Sequence, residues 1–195
     1  MRSLVSLALV AGLAVAGAAV TAQQAAAAAV SAWTVDKANS KLGFASSFNG
    51  TKFEGSFRKW DAQIAFDPKN LAGSKVTVTV DTASAVSGDE SRDESLPTED
   101  WFSVMKFPRA TFVSTGFKDL GGGKYQAAGN LTLKGKTQPA TLNFTLAITG
   151  DVAKVTGSAS VMRNAFNVGE GQFASAETVP FGVTIPITLV AKRAK

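Results

Sequence analysis

Residues 140–149 read ATLNFTLAIT and alternate almost without fault. Leu142, Phe144, Leu146 and Ile148 fall on one side, and Thr141, Asn143, Thr145 and Thr149 on the other. Successive side chains of an extended chain point to opposite faces, so this pattern predicts a half-buried β-strand. Gly150-Asp151 ends it with a turn, and Gly135-Lys136 marks a turn before it.

The same period recurs on both sides. Upstream, 125–134 reads as a strand, and Gly121-Gly122-Gly123 turns the chain back from a strand over 110–117. Residues 75–82 place Val76, Val78 and Val80 against Thr77, Thr79 and Asp81. Residues 41–48 put Leu42, Phe44 and Phe48 on one face, with Ser46 between them, before an Asn49-Gly50 turn. Trp33 to Asp36 forms a short first strand. Between 53 and 66 the inner set changes phase: Phe53, Gly55 and Phe57 are odd, whereas Trp60, Ala62, Ile64 and Phe66 are even. Both sets can face one side only with a residue inserted near Arg58-Lys59, which predicts a β-bulge or barrel corner there. Downstream, 152–161 is small and weakly patterned and suits a crowded or edge position. Val183, Ile185, Ile187 and Leu189 form a last inner face. Pro186 lies on the opposite face and lacks an N–H, so the ladder should be locally unpaired there. Eight or nine strands joined by short turns give an all-β fold, an antiparallel sandwich or closed barrel.

One stretch breaks the pattern, AVSGDESRDESLPTEDWFSVMKFPRATFVSTGF at 85–117. Ser87 with Glu90 fits a capping box. Thr98 suits the cap of a second turn, with Glu99 and Asp100 near its positive end. Trp101, Phe102, Val104, Met105 and Phe107 follow as five apolar residues in seven. These features predict a short helical segment around 88–105 that clasps part of the barrel.

Composition removes several chemistries. The 195 residues contain no His and no Cys, which excludes imidazole bases, thiol nucleophiles and disulfides. A metal would need oxygen ligands alone, and the acidic cluster from Asp89 to Asp100 lacks calcium-loop spacing. Gly121-Gly122-Gly123-Lys124 is followed by neither Ser/Thr nor a helix and is no phosphate loop. Only Ser-Lys or carboxylate mechanisms remain, without a recognisable motif, so no catalytic residue, catalytic cofactor or enzymatic activity is expected. The net charge of +5 is scattered, which argues against a nucleic-acid partner.

Arg2, the apolar run 4–20 and the small residues after it predict a signal peptide, with cleavage after 22, 29 or 32; an uncleaved anchor is the alternative. Residues 1–32 are therefore expected to be leader, the Ala-rich part disordered or lost, and 33–195 one domain. Thirteen Phe and three Trp make the inner faces aromatic. Pattern alone leaves a packed core and a ligand tunnel both open.

Several blocks resemble the YceI-like family of polyisoprenoid-binding, lipocalin-like proteins. They are Trp33-Thr34-Val35-Asp36 with Asn39-Ser40-Lys41-Leu42-Gly43-Phe44, and Gly55-Ser56-Phe57 through Phe66-Asp67-Pro68. Gly88-Asp89-Glu90-Ser91-Arg92-Asp93-Glu94-Ser95-Leu96 follows, with Phe102 and Lys106 to Phe112. Gly129 to Gly135 with Thr137 and Pro139, and Arg163 to Gly169, complete the set. Family members often carry His where this chain has Asn39 to Lys41, Ser95 and Lys134, and Gly where it has Asn167.

The resemblance implies an extended eight-stranded antiparallel barrel around a tunnel for an isoprenoid chain, polyprenyl or quinone. Its wall would come from Phe44, Phe48, Phe57, Trp60, Ile64, Trp101, Phe102, Phe112, Leu131, Leu142, Phe144, Leu146 and Phe166. Arg92 and Asn164 would meet the head group at the mouth; the competing assignments are an ion pair of Arg92 with Asp89 or Asp93, and Asn164 as a plain turn residue. The implied location is periplasmic and the implied task is transport, storage or sequestration of the lipid. A membrane redox protein and a second copy of the chain stand as candidate partners. The alternative is a solid partner-binding barrel tied to a membrane redox or stress-response system.

Overall fold

The structure, a computed structural model, describes residues 30–195; the expected signal peptide and most of the Ala-rich leader lie outside them. The strands are β1 (Ala32–Val35), β2 (Lys41–Phe48), β3 (Thr51–Phe57), β4 (Trp60–Ala65), β5 (Lys75–Asp81) and β6 (Ala85–Val86). They continue as β7 (Arg109–Gly121), β8 (Lys124–Leu133), β9 (Lys136–Thr149), β10 (Val152–Met162) and β11 (Gly182–Arg193). All pairings are antiparallel, in the order β1-β4-β5-β7-β8-β9-β10-β11, and β11 pairs back to β1 to close an eight-stranded barrel. The other half of β11 pairs with β2, and β2-β3-β6 extends the wall at one end. β1 and β2 are thus two halves of one long strand, as are β3 and β4.

The phase break at Arg58-Lys59 is a corner. β3 ends at Phe57 and β4 starts at Trp60, and the intervening N–H groups of Arg58 and Lys59 donate to Ser84 O and Oγ at 3.1 and 3.0 Å. A second phase change was not visible in the sequence: the β7–β8 register shifts between Ser114 and Gly116, which lets both Phe112 and Phe117 face inward. Pro186 interrupts the β2–β11 ladder, which pairs Thr184 with Ala45 and Ile187 with Leu42 but skips the residues between. Gly43 sits opposite, where a Cβ would stand 3.0 Å from the proline ring.

Five expectations need correction. Residues 152–161 are no edge, since β10 is paired along both sides; their small side chains reflect crowding, because a Cβ on Gly157 would collide with Phe144. The β8–β9 turn is Lys134-Gly135, both with positive φ, and β9 begins at Lys136. The helical segment shrinks to α1 (Glu90–Ser95), with 96–107 in successive turns. Asp89, not Ser87, caps α1, accepting from Arg92 N at 3.0 Å; Ser87 N and Oγ instead donate to Asp93 Oδ1. The Thr98 hydroxyl does not cap a second turn but donates back to Ser95 O at 2.7 Å.

Ser31 and Ala32, expected within the leader, belong to the barrel: Ser31 O accepts from Phe66 N and Ala32 O from Ala194 N, each at 2.9 Å. An aromatic plug closes this end. Trp33 Nε1 donates to Phe66 O at 2.9 Å. The Phe66 ring meets Phe117, Tyr125 and Phe144 edge-on at 5.1, 5.7 and 6.2 Å, the preferred geometry for opposing ring quadrupoles.

Candidate functional site

Between the plug and the clasp the barrel is hollow. A cavity of about 640 Å³ runs along it, within the ~300–1,000 Å³ range of small-molecule sites. A strand as long as β9, with 14 residues, extends roughly 45 Å, so the lumen is long rather than round. Its emptiness has a cause in sequence. Ala62, Ala110, Ala127, Ala140, Ala153, Ala159 and Ala191 all point inward along the wall, and glycines lie beneath two of the inward rings. A Cβ on Gly55 would overlap the Phe44 ring, and one on Gly129 the Phe112 ring. The rings therefore lie against the wall across neighbouring strands instead of projecting to the axis. An eight-stranded barrel can be filled by its side chains or hold one small ligand; here the small inner residues leave the interior unfilled.

Fourteen of the fifteen expected site residues line this one cavity: Phe44, Phe48, Phe57, Trp60, Ile64, Arg92, Trp101, Phe102, Phe112, Leu131, Leu142, Phe144, Leu146 and Phe166. Asn164 does not. It is exposed on the short 3₁₀ turn Arg163–Phe166, where its carbonyl accepts from Asn167 N at 3.1 Å. The side chain that this turn sends inward is Phe166, 2 % exposed.

Polarity changes along the lumen. Around the plug its walls are wholly apolar, with Trp33, Ile64, Phe66, Leu142, Phe144 and Leu189. At the clasp it meets Ser87, Asp89, Ser91, Arg92 and Ser95, with Gln172 from the segment 163–181 and Ser46 from β2. Asp89, Ser91 and Gln172 are solvent-exposed, so the cavity opens at this end. Arg92 Nε donates to Ser87 Oγ at 3.1 Å, its Nη1 stands 3.9 Å from Asp89, and its guanidinium lies 4.4 Å over the Phe53 ring. Its Nη2 makes no hydrogen bond among the described residues. The Ser46 hydroxyl is buried with no partner among the described residues, a state that costs free energy until a ligand or water fills it.

Arg163, which sequence reasoning did not single out, shapes the mouth. It is 3 % exposed. Its guanidinium and Nε donate to the carbonyls of Val168, Gly169, Phe173, Ser175, Val179 and Pro180 at 2.7–3.1 Å. Burial lowers its pKa, and six carbonyl dipoles stand in for a counter-ion. One cation thereby folds 163–181 into a flap over the barrel. The flap is tied to the clasp: Gly169 N and Glu170 N donate to Asp100 O at 2.7 and 2.9 Å. Buried Lys134 donates to Asn167 O and pairs with Glu170, at 2.6 and 2.8 Å. The Phe173 ring packs at a tilt against Trp101 and Phe48, with centroids at 5.2 and 6.4 Å. The available signal was a lone Arg entering a loop rich in Gly and small residues.

The family model described as YceI-like domain matches residues 33–191. A UPF0312 protein of Vibrio cholerae is 40% identical over 90 residues, 46% of this chain and 48% of the relative; the match thus spans about half the length of that curated relative. The crystal structure of Burkholderia cenocepacia BcnA superposes with TM-score 0.78 at 37% identity, covering 82% of this chain and all of the other. A polyisoprenoid binding domain from Saccharophagus degradans implicated in plant cell wall breakdown shares the fold, with TM-score 0.65, 16% identity, and 84% and 99% coverage.

Proposed function

Since the chain belongs to the YceI-like domain family, we propose that it is a binding protein that holds a long isoprenoid chain, polyprenyl or quinone tail, in its lumen. The observation that carries this reading is the polarity of the cavity: apolar to its closed end, polar only at the mouth. A hydrocarbon tail offers no hydrogen bonds and needs none along such a wall. Burying ~600 Å² of it at ~25 cal/mol/Å² contributes ~15 kcal/mol before the cost of ordering the chain. The tail lies toward Trp33 and Phe66, and the head group lies by Arg92, Ser46 and the clasp serines. With Asp89 beside it, Arg92 offers one partly neutralised cation, which suits a carbonyl or hydroxyl head better than a pyrophosphate. The polyisoprenoid binding named for the Saccharophagus domain supports the ligand class. No side-chain arrangement at the mouth performs chemistry in this reading; the protein stores, carries or sequesters its lipid.

We place the protein in the periplasm, exported by its leader. The bonds made by Ser31 and Ala32 favour cleavage before residue 30 over cleavage after 32, which would remove them.

Native mass spectrometry of the gently purified protein, followed by solvent extraction, tests the reading. One bound species whose mass steps in isoprene units is expected. Ala159→Phe, which adds a ring where a small side chain faces the lumen, should lose the lipid while the barrel stays folded. A ligand-free wild type that takes up no added quinone or polyprenol would refute the proposal.

A further inference from the structure

The net charge, scattered along the sequence, is not scattered in the fold but divided between the ends of the barrel. The closed end is built from the β4–β5 connection, the β7–β8 and β9–β10 turns and the C-terminal tail. Residues 66–75, 118–124, 148–154 and 192–195 there carry eight Lys/Arg against three Asp, a surplus of five, equal to the net charge of the whole chain. All three carboxylates are engaged. Asp67 and Asp119 accept from the N–H groups of Lys69 and Gly121 at 2.9 and 2.8 Å, and Asp151 pairs with Arg193 at 3.3 Å. The lysines at 69, 75, 118, 124, 154 and 192 are exposed, and none forms an ion pair among the described residues. The mouth has the opposite sign. Segments 87–107 and 163–181, together with the β2–β3 and β8–β9 tips that add Lys52, Glu54, Lys134 and Lys136, carry nine carboxylates against six Lys/Arg.

One large apolar side chain stands among the lysines. Leu120, 52% exposed, lies near the tip of the β7–β8 hairpin between Lys118 and Lys124. We propose that this closed end docks on an anionic lipid bilayer and leaves the mouth turned away from it. The charge attracts the end to an anionic surface, the β7–β8 tip enters the headgroup layer, and the lysine stems flank it with their ammonium groups at the phosphates. The acidic mouth is repelled by the same surface, so the orientation follows from the charge division as well as from the tip. A lipid surface, unlike an acidic protein, needs no pocket shaped to receive a lone leucine among lysines.

The test is sedimentation with vesicles of phosphatidylcholine, with and without a quarter of phosphatidylglycerol. Binding is expected only to the anionic vesicles, and it should fall more than tenfold between ~0.05 and ~0.5 M salt as the charges are screened. K118E/K124E should abolish it. R58E/K59E, the same change of net charge at the barrel corner, should keep most of it. The chain lacks cysteine, so an environment-sensitive dye can be placed at one site. On Leu120→Cys it should shift to the blue with anionic vesicles. On Met105→Cys at the clasp, where Met105 is 94% exposed, it should not. The proposal is overturned by equal losses in the two charge variants, by a shift at residue 105 and not at 120, or by no preference for anionic vesicles. None of these readouts depends on what the lumen holds.

Discussion

Arg163 shows how one side chain can organise a segment of almost twenty residues. Among the described residues no backbone N–H donates to its six carbonyl acceptors, so Arg163→Met should destabilise the protein by about 3 kcal/mol. Thermal unfolding measures the loss, and amide exchange should show it concentrated in 164–181. Arg163→Lys should rescue little, because a single ammonium cannot span a fork of six acceptors. Asn167 ends the same turn with φ +56°, a left-handed conformation that Gly and Asn adopt readily. Asn167→Gly should be near neutral and Asn167→Val should cost about 1–2 kcal/mol by chemical denaturation. The resemblance singled out this position as Asn in place of Gly, and the backbone explains why the exchange is tolerated. Tyr125 gives a residue-scale pH prediction. Burial, and secondarily the charge of Asp119, raise its phenol above the ordinary 10.0. The fold then favours the neutral form, so this contribution to stability is whole below about pH 10 and is lost as the pH rises through the folded-state value. Tyr125 is the only tyrosine, so phenolate absorbance follows one group. It should ionise above pH 10 in the folded protein and near 10 in denaturant.

At the scale of the strand, alternation placed the walls correctly, because a period of two is a local property of the backbone. Leu142, Phe144, Leu146 and Ile148 face the lumen as their spacing requires. The insertion near Arg58 was equally legible, since two apolar sets of opposite parity cannot share a face without it. The shift at Ser114–Gly116 was not, because only one inner residue, Phe117, follows it in the strand. The cap was misassigned for a related reason. Ser87, Asp89 and Asp93 can all serve as caps, and the choice fell to Asp89 once Asp93 took the Ser87 donors. The inner glycines carry the strongest prediction at this scale. Gly55→Val or Gly129→Val must push the Phe44 or Phe112 ring toward the axis, costing about 1–3 kcal/mol as overpacking does. Each should also cut lipid occupancy by native mass spectrometry. An outward control such as Thr145→Val should change neither.

For the whole molecule, the barrel leaves unfilled the space that a packed core would use, so ligand and stability are coupled. A ligand bound only by the folded state adds about 2.7 kcal/mol at a hundred times its Kd. Stripping the protein of lipid should therefore lower Tm by several degrees, and adding back a long-tailed quinone should restore it. A short quinone lacking the tail should restore little, because the lumen contributes through apolar area. Ala159→Phe should reverse the pattern, with a smaller Tm response to stripping than the wild type shows.

The strand class, the inner faces, the corner at Arg58-Lys59 and the absence of imidazole and thiol chemistry were determined by the sequence alone, since each depends on composition or on neighbours one or two residues apart. Whether the aromatic interior was solid or hollow was decided only by tertiary structure. That outcome depends on which glycine lies across from which ring, Gly55 beneath Phe44 and Gly129 beneath Phe112, and such pairings follow from strand register and barrel closure. The same holds for Asn164, placed outward while Phe166 turned in, and for Arg163, whose six acceptors come together only when residues 163–181 fold over the mouth.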